Sequence, residues 1–414
     1  MSEWATVSLG KHCKIKTGKK DVNEGNSLGQ YPFFTCSRDI SWSDFYSFDT
    51  EAILIAGNGD VGNLHYFKGK FEAYQRTYVV DSFDINIHYV YQYLSGNLLT
   101  ALEKEKVGTS IPYIKLGHLT DFPIYIPKLP AFQEKIARIL QTIDQAIEKT
   151  EALIEKYQQI KAGLMHDLFT RGIGADGKLR PPREQAPELY QQTPIGWIPK
   201  EWDWSPLRAK SKPGVHHLRT GPFGSSLKGE HWVEYGNPVI TIGTLGEGEF
   251  DASELLFISD LDAKRLFDFQ MKLGDVVFSR VADVGRSLVV EQDQVGWIMS
   301  SNLMRISLDQ SLVNSDYLQY QLSYDARIKK QIRCKVNSGG REVANSEILN
   351  SLLFIWPTID EQDEIVNRGK AITRRIHAER QELQKLEKQK SGLMHDLLTG
   401  KVPVQIAESE PEIA

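Results

Sequence analysis

Cysteine is scarce in this chain of 414 residues. Cys13, Cys36 and Cys334 form an odd, scattered set, and no pair has CxxC or metal-ligand spacing. That pattern argues against a disulfide scaffold and against a zinc site; three reduced thiols are expected. Long apolar runs are missing as well, so no membrane span is expected. The opening Met1-Ser2-Glu3-Trp4 has neither a basic nor an apolar leader segment, so no secretory signal is expected. Catalytic signatures are absent: there is no Walker A loop, no Asn/Asp-Pro-Pro-Tyr/Phe segment, no HExxH and no GxSxG. An ATP motor, an amino-methyltransferase centre and the common hydrolases are therefore not expected. Excess positive charge is lacking too. Lys and Arg number 49 against 54 Asp and Glu, a net charge of −5 with a pI near 6.1. This argues against a polycation that coats nucleic acid, but a sum hides local patches.

What is present is an ordinary globular composition, 41% hydrophobic and 25% charged, with length for two or three domains. The chain also repeats itself. Gly163-Leu-Met-His-Asp-Leu168 recurs as Gly392-Leu-Met-His-Asp-Leu397. Upstream, Pro123-Ile-Tyr-Ile-Pro127 faces Leu353-Phe-Ile-Trp-Pro357, followed by Gln133-Glu134 and Glu361-Gln362. Weaker matches reach the start of each half. Trp4-x4-Leu9 faces Trp202-x4-Leu207, Lys16-Thr17-Gly18 faces Arg219-Thr220-Gly221, and Asp60-Val61-Gly62 faces Asp283-Val284-Gly285. The offset grows along the chain, as expected of a duplication whose second copy has gained loop insertions.

Each half closes on a long helical pattern. Ile365, Gly369, Ile372, Ile376, Glu379, Leu383, Leu386, Lys390, Leu393 and Leu397 step alternately by four and three, a coiled-coil seam. Ile136, Ile139, Ile143, Ile147, Thr150, Ile154, Tyr157, Ile160, Leu164 and Leu168 do so less regularly. A lone helix of this kind would leave its stripe in water, and the two stripes most simply cover each other. Ile143, Ile147, Leu164, Leu168, Ile372, Ile376, Leu393 and Leu397 are the candidate helix-pairing or subunit-docking residues. Short β-rich runs separated by turn residues precede each helix, with helices expected near 86–105 and 314–333. The expected fold class is mixed α/β (α+β): two globular modules, each followed by a long α-helix, the helices pairing as an antiparallel coiled coil. The expected divisions are 1–128 (first module), 129–170 (first helix), 171–201 (linker), 202–357 (second module), 358–399 (second helix) and 400–414 (loose tail). The linker assignment rests on Pro181, Pro182, Pro187, Pro194 and Pro199 with Gly172, Gly174 and Gly177.

Gly57-Asn-Gly59-Asp-Val-Gly62 fits the dinucleotide fingerprint. That motif needs a helix opening at its third glycine, and here Asn63–Gly69 reads as another strand; the repeat partner Arg280–Gly285 lacks the first two glycines. A turn joining two strands explains both copies. His166-Asp167 and His395-Asp396 lie about 100° apart on a helix, so neither pair makes a site alone. They are read as structural or docking groups, and Trp4 and Trp202 as core anchors. The modules are close to neutral, 13 Lys and Arg against 14 Asp and Glu in 1–128, and 18 against 20 in 200–358. Cations in turn-like segments are the candidates for phosphate or guanine contacts: Lys16, Lys19, Lys20, Arg38, Arg76, Arg219, Lys228, Arg280, Arg286 and Arg341.

The order module, helix, linker, module, helix resembles the specificity subunit of type I restriction–modification systems. The resemblance rests on the repeated Gly-Leu-Met-His-Asp-Leu ends, the proline-led helix starts at Gln133 and Gln362, the restart Pro194-Ile-Gly196-Trp-Ile-Pro199-Lys-Glu-Trp202 and Asp283-Val-Gly-Arg286. It covers essentially the whole chain. The first module departs by its shortness and by Asn63 where the second has Arg286. The resemblance implies two target recognition domains on a helical spacer and a non-catalytic, cytoplasmic subunit. It implies double-stranded DNA, two methyltransferase (modification) subunits and restriction/translocase subunits as partners. S-adenosylmethionine, ATP and Mg would belong to those partners, with no cofactor and no metal in this chain. The target would be bipartite and asymmetric, because the two modules differ. A coiled-coil scaffold that uses its modules only for protein contacts is the runner-up; an oxidoreductase built on the Gly57 turn is a third reading.

Overall fold

The computed structural model describes residues 3–104, 113–246, 250–281, 283–336 and 343–405. They form two compact units, one made of 1–153 with 379–414, the other of 154–378.

In the first unit, β1 (Trp4–Ser8) and β2 (Lys14–Thr17) precede β3 (Tyr31–Phe34), β4 (Ser41–Ser43), β5 (Phe48–Ala56), β6 (Leu64–Ala73) and β7 (Thr77–Asp81). Helices α1 (Ile87–Lys104) and α2 (Leu116–Thr120), strand β8 (Pro123–Pro127) and the long α3 (Pro130–Thr170) follow. Six strands make one sheet in the order β2-β7-β5-β6-β3-β4, and β1 pairs antiparallel with β8. The alternate apolar residues Ile53, Ile55 and Val80 face α1 through Leu94 and Leu98. The same core takes in Ile136 and Leu140 of α3 and Leu397 and Leu398 from the far end of the chain.

The second unit opens on the stretch read above as a linker. It is folded: β9 (Tyr190–Thr193) and β10 (Gly196–Pro199) form a hairpin, and Ile173, Tyr190 and Ile198 are buried. Gly172, Gly177 and Gly196 take positive φ at its bends, and Pro199 closes β10. Strands β11 (Asp203–Ser205), β12 (Leu218–Thr220), β13 (Trp232–Val233), β14 (Asn237–Ile240) and β15 (Leu256–Ile258) lead to α4 (Asp260–Arg265). Then come β16 (Val276–Ser279), β17 (Ser287–Val289), β18 (Ile298–Met299), β19 (Leu303–Ile306), α5 (Ser315–Tyr324), α6 (Ala326–Val336), α7 (Ser346–Asn350), β20 (Phe354–Trp356) and α8 (Ile359–Leu398). The sheet β12-β19-β16-β17 repeats the order β2-β7-β5-β6, and β11 pairs with β20 as β1 does with β8. A second sheet, β13-β15-β14-β18, accounts for much of the extra length.

The helix starts show why glutamine recurs. Gln133 is buried; its Oε1 accepts the Asn86 N–H (3.1 Å) and its Nε2 donates to the Pro127 carbonyl (2.8 Å). Gln362 does the same with Asn314 N–H (2.9 Å) and the Pro357 carbonyl (3.0 Å). Tyr89 and Tyr317 donate their hydroxyls to the Tyr125 and Ile355 carbonyls. Each amide thus ties the start of a long helix to the strand before it and to the cap of the module's helix. Gln133 corresponds to Gln362, so Glu361 corresponds to Phe132. Glu361 accepts from Arg180 (2.6 Å), the Trp202 indole N–H (3.0 Å) and the Ile173 N–H (2.7 Å). Trp4 of the first copy instead stacks on Tyr125 at 4.9 Å.

The pairing candidates lie on the covered side of their helices. Leu168, Ile376 and Leu397 are buried, and Ile143, Ile147, Leu164, Ile372 and Leu393 are half-buried. Ile160 does not belong there: it is 45% exposed. The four-three spacing from Tyr157 lands on Lys161, whose ammonium sits 4.9 Å from the Tyr324 ring centroid. In the first unit Lys390 of α8 meets Asp144 of α3 at 2.7 Å. In the second, Arg375 of α8 donates to Tyr157 of α3 at 3.3 Å.

Candidate nucleic-acid interface

The Gly57–Gly62 segment is a turn from β5 into β6. Gly62 holds φ +79° and donates its N–H to the Ala56 carbonyl; Asn63 donates to Asp60. Its counterpart joins β16 to β17, with Gly285 at φ +104° donating to Ser279. Both glycines stand in the left-handed region that side chains disfavour. A strand, not a helix, follows each, which removes the dinucleotide reading and the oxidoreductase built on it.

These turns gather other loops at one end of each sheet. In the first module the loop after β3 docks there: Asp60 N–H donates to the Cys36 carbonyl (3.1 Å), and Asn63 Nδ2 to Ser37 (3.3 Å). The segment before β7 joins through Gly57 N–H to the Arg76 carbonyl (3.0 Å), and the end of β2 through Gly18 N–H to Thr77 (3.2 Å). Arg38, Arg76, Lys19 and Lys20 are therefore carried on loops of the same sheet end. The second module repeats the plan. Arg280 N–H donates to the Asn302 carbonyl (3.1 Å), Gly221 N–H to Leu303 (2.9 Å), and Arg286 Nη1 reaches the Leu245 carbonyl (3.0 Å). Four or five irregular segments at one strand end, offering cations in an otherwise neutral module, suit contact with a polyanion whose grooves are read by side chains.

The individual cations differ in how far they are committed. Arg286 gives Nε to Asp283 at 2.8 Å and Nη1 to Leu245, so it is oriented before any ligand arrives. Arg219 pairs with Asp268 at 2.9 Å and covers the Phe269 ring at 4.8 Å. Its cross-strand neighbour Arg305 is buried against Asp275 (3.7 Å) and the Gln270 carbonyl (2.6 Å). Burial pushes the Asp275 carboxyl up, against Ser307, the Lys272 N–H and Arg305, and pushes the Arg305 guanidinium down. The like charge of Arg219 across the strand adds to that downward push on Arg305. Lys16 lies off the loops, on β2, and pairs with the buried Asp81 at 3.2 Å. Lys20 pairs with Glu24 at 2.6 Å, and Lys228 approaches Glu230 at 4.0 Å. Such exposed pairs are worth little and exchange readily for a phosphate. Arg280 is half-buried, with its Nε lacking a partner. Arg341 lies outside the described residues.

The expected helix near 314–333 is α5 and α6, but sequence reasoning overlooked the charge of α6, Ala-Arg-Ile-Lys-Lys-Gln-Ile-Arg-Cys-Lys-Val, with five cations and no carboxylate. The signal was available in an eleven-residue window and vanished in the module-wide sum. His166 and His395 are exposed, while Asp167 and Asp396 face Arg171 (3.6 Å) and Lys401 (3.9 Å) near the helix ends. Among the described residues no group of three or more His, Cys, Asp or Glu could hold a metal, and no helix is long and apolar enough to cross a membrane.

A duplicated α/β module with basic loops gathered at one sheet end, each copy followed by a long helix, is the plan of a two-headed nucleic-acid reader. The model of the type I restriction modification DNA specificity domain matches residues 1–159 and 216–388. The chain belongs to that family, and its function is DNA-sequence recognition through two target recognition domains. It is 34% identical over 215 residues to the specificity subunit of the Escherichia coli type I restriction enzyme EcoDI, a match spanning 49% of this chain and 47% of that protein. It is 23% identical to the Methanocaldococcus jannaschii MjaVIII specificity subunit over 97% of this chain and 94% of that one. The fold is that of a type I restriction-modification S subunit from M. genitalium, with TM-score 0.63, 14% identity and 97% of each chain covered.

Proposed function

We propose that the chain is the DNA-recognition subunit of a type I restriction–modification complex, reading an asymmetric bipartite target and scaffolding its partner subunits. The observation that carries the asymmetry is the pair of unlike loop ends. The first offers Arg38, Arg76 and two lysines around a glycine-rich turn; the second offers Arg280 and Arg286 in that turn itself. Unlike heads read unlike half-sites, and bases between them go unread. The subunit is non-catalytic in this reading. Two methyltransferase subunits bind S-adenosylmethionine and extrude the target adenine. Restriction/translocase subunits use ATP and Mg, and the whole acts in the cytoplasm. The two long helices pair as an antiparallel coiled coil. Support comes from contacts inside each unit: Asp144 of α3 meets Lys390, and the later Tyr157 meets the earlier Arg375.

The test is a methylation map of the host genome with and without this gene. Loss of one bipartite methyl-adenine motif is expected. An unchanged map, with the methyltransferase expressed and active, would favour the scaffold reading. Within the complex, Arg286→Ala and Arg219→Ala should each weaken or relax the second half-site only, by about 1–3 kcal/mol at the affected base pair. Selection of bound sites from a random pool reads this out; altered preference in the first half-site would count against the assignment.

A further inference from the structure

Helix α6 carries an apolar and a basic face. Ile328, Ile332 and Val336 are buried, one turn apart. Lys329, Lys330 and Arg333 share the exposed side, and none is in an ion pair among the described residues. Arg327, by contrast, is held by Asp325 at 2.9 Å and by the Phe169 carbonyl. The helix is not remote from the loop end. Ile332 packs under the Asp283–Arg286 turn, where its Cδ1 lies 3.7 Å from the position a Cβ on Gly285 would take. In the first module Leu99 and Leu102 of α1 hold the matching place against Gly62, but α1 has no such cluster of cations. The helix that carries the basic face thus packs its apolar side under the turn that carries Arg280 and Arg286, and among the described residues only the second module has such a helix.

We propose that Lys329, Lys330 and Arg333 clamp the DNA phosphate backbone at the second half-site, setting the duplex against the Arg286 turn. The proposal rests on the DNA-recognition reading and deepens it by assigning the backbone grip to residues outside the reading loops. Three neighbouring cations with no ion pair among the described residues repel one another, a cost that a polyanion relieves. Backbone contacts position and do not specify, so the clamp is separable from sequence choice.

Cys334 is exposed on the same helix and reports on it in the native protein. Cys13 is a quiet internal reference: burial, with Asp81 and Asp84 beside it, pushes its thiol up to about 12. The assembled methyltransferase complex is treated with iodoacetamide, with and without a duplex carrying the mapped target, and each cysteine peptide is followed by mass spectrometry. Bound DNA is expected to slow Cys334 alkylation about tenfold at low salt and progressively less as salt rises. The K329Q/K330Q/R333Q variant should assemble normally, recognise the same sequence, and lose up to about 0.9 from the log–log salt slope for each charge removed. An unchanged Cys334 rate on demonstrably bound DNA would overturn the clamp alone. So would protection by the methyltransferase without DNA, which would make this face a subunit contact. A complex that binds no duplex would sink the clamp together with the recognition reading.

Discussion

Glu361→Ala is expected to lower the stability of the second unit by about 3–5 kcal/mol, the cost of stranding one partner of a buried ion pair. Glu361 and Arg180 are each less than a tenth exposed, and their charges meet at 2.6 Å. Removing the carboxylate leaves three donors without it: the guanidinium, the Trp202 indole N–H and the Ile173 amide. Arg180 keeps Glu201 and the Arg171 carbonyl, but Glu201 is largely in solvent. For a unit of this size the loss corresponds to a fall in Tm of roughly 6–20 °C. Calorimetry should show it in the transition of the second unit, with that of the first unmoved, since Phe132 stands at the matching place there. The paired replacement Arg180→Met with Glu361→Leu should recover most of the loss, because no charge is then left buried. A single variant as stable as the parent would show that the network is incidental.

Removing four residues around Tyr157 from α3, with four around Arg375 from α8, should shift the distance between half-sites and spare both recognised sequences. On the coiled-coil reading, the pair of helices sets the gap between heads. Four residues shorten a helix by about 6 Å, close to two base pairs of duplex. They also turn whatever follows by about 40°, since four steps of 100° overshoot one full turn. Sequencing of methylated sites from cells carrying the variant reads both effects at once. A motif with its original gap would refute the helical ruler; loss of both half-sites would point to damage in the modules. Matched removal matters because Arg375 bonds to Tyr157, and a cut in one helix alone would break that register.

Much of this plan is legible in the sequence because it occurs twice. The Gly-Leu-Met-His-Asp-Leu blocks and the paired prolines align the halves, and alignment turns a false cofactor fingerprint into a hairpin turn. The covered stripes of the long helices follow from spacing, with one slip: Ile160 looks like a stripe residue by type, yet it is exposed, and Lys161 holds the position with its ammonium over the Tyr324 ring. The stretch 171–201 was misread for a physical reason. Prolines and glycines mark loose connections and tight turns alike, and only tertiary contacts separate the two. Those contacts, such as Arg180 with Glu361, join positions far apart in sequence and leave no local pattern. The loop cluster was half visible. Its arginines stand out, but which turns share a sheet end depends on strand order, and the neutral module sums concealed the charge of α6.

The first core holds Leu393, Met394, Leu397, Leu398 and Val404 against residues of the opening module. The second unit lies wholly between those two stretches of chain. During synthesis, then, the module begun first cannot be sealed first. It waits with a strip of apolar surface uncovered until the second has been made. Birth order and burial order are reversed, and a nascent chain halted after residue 378 would carry a finished second head and an unfinished first.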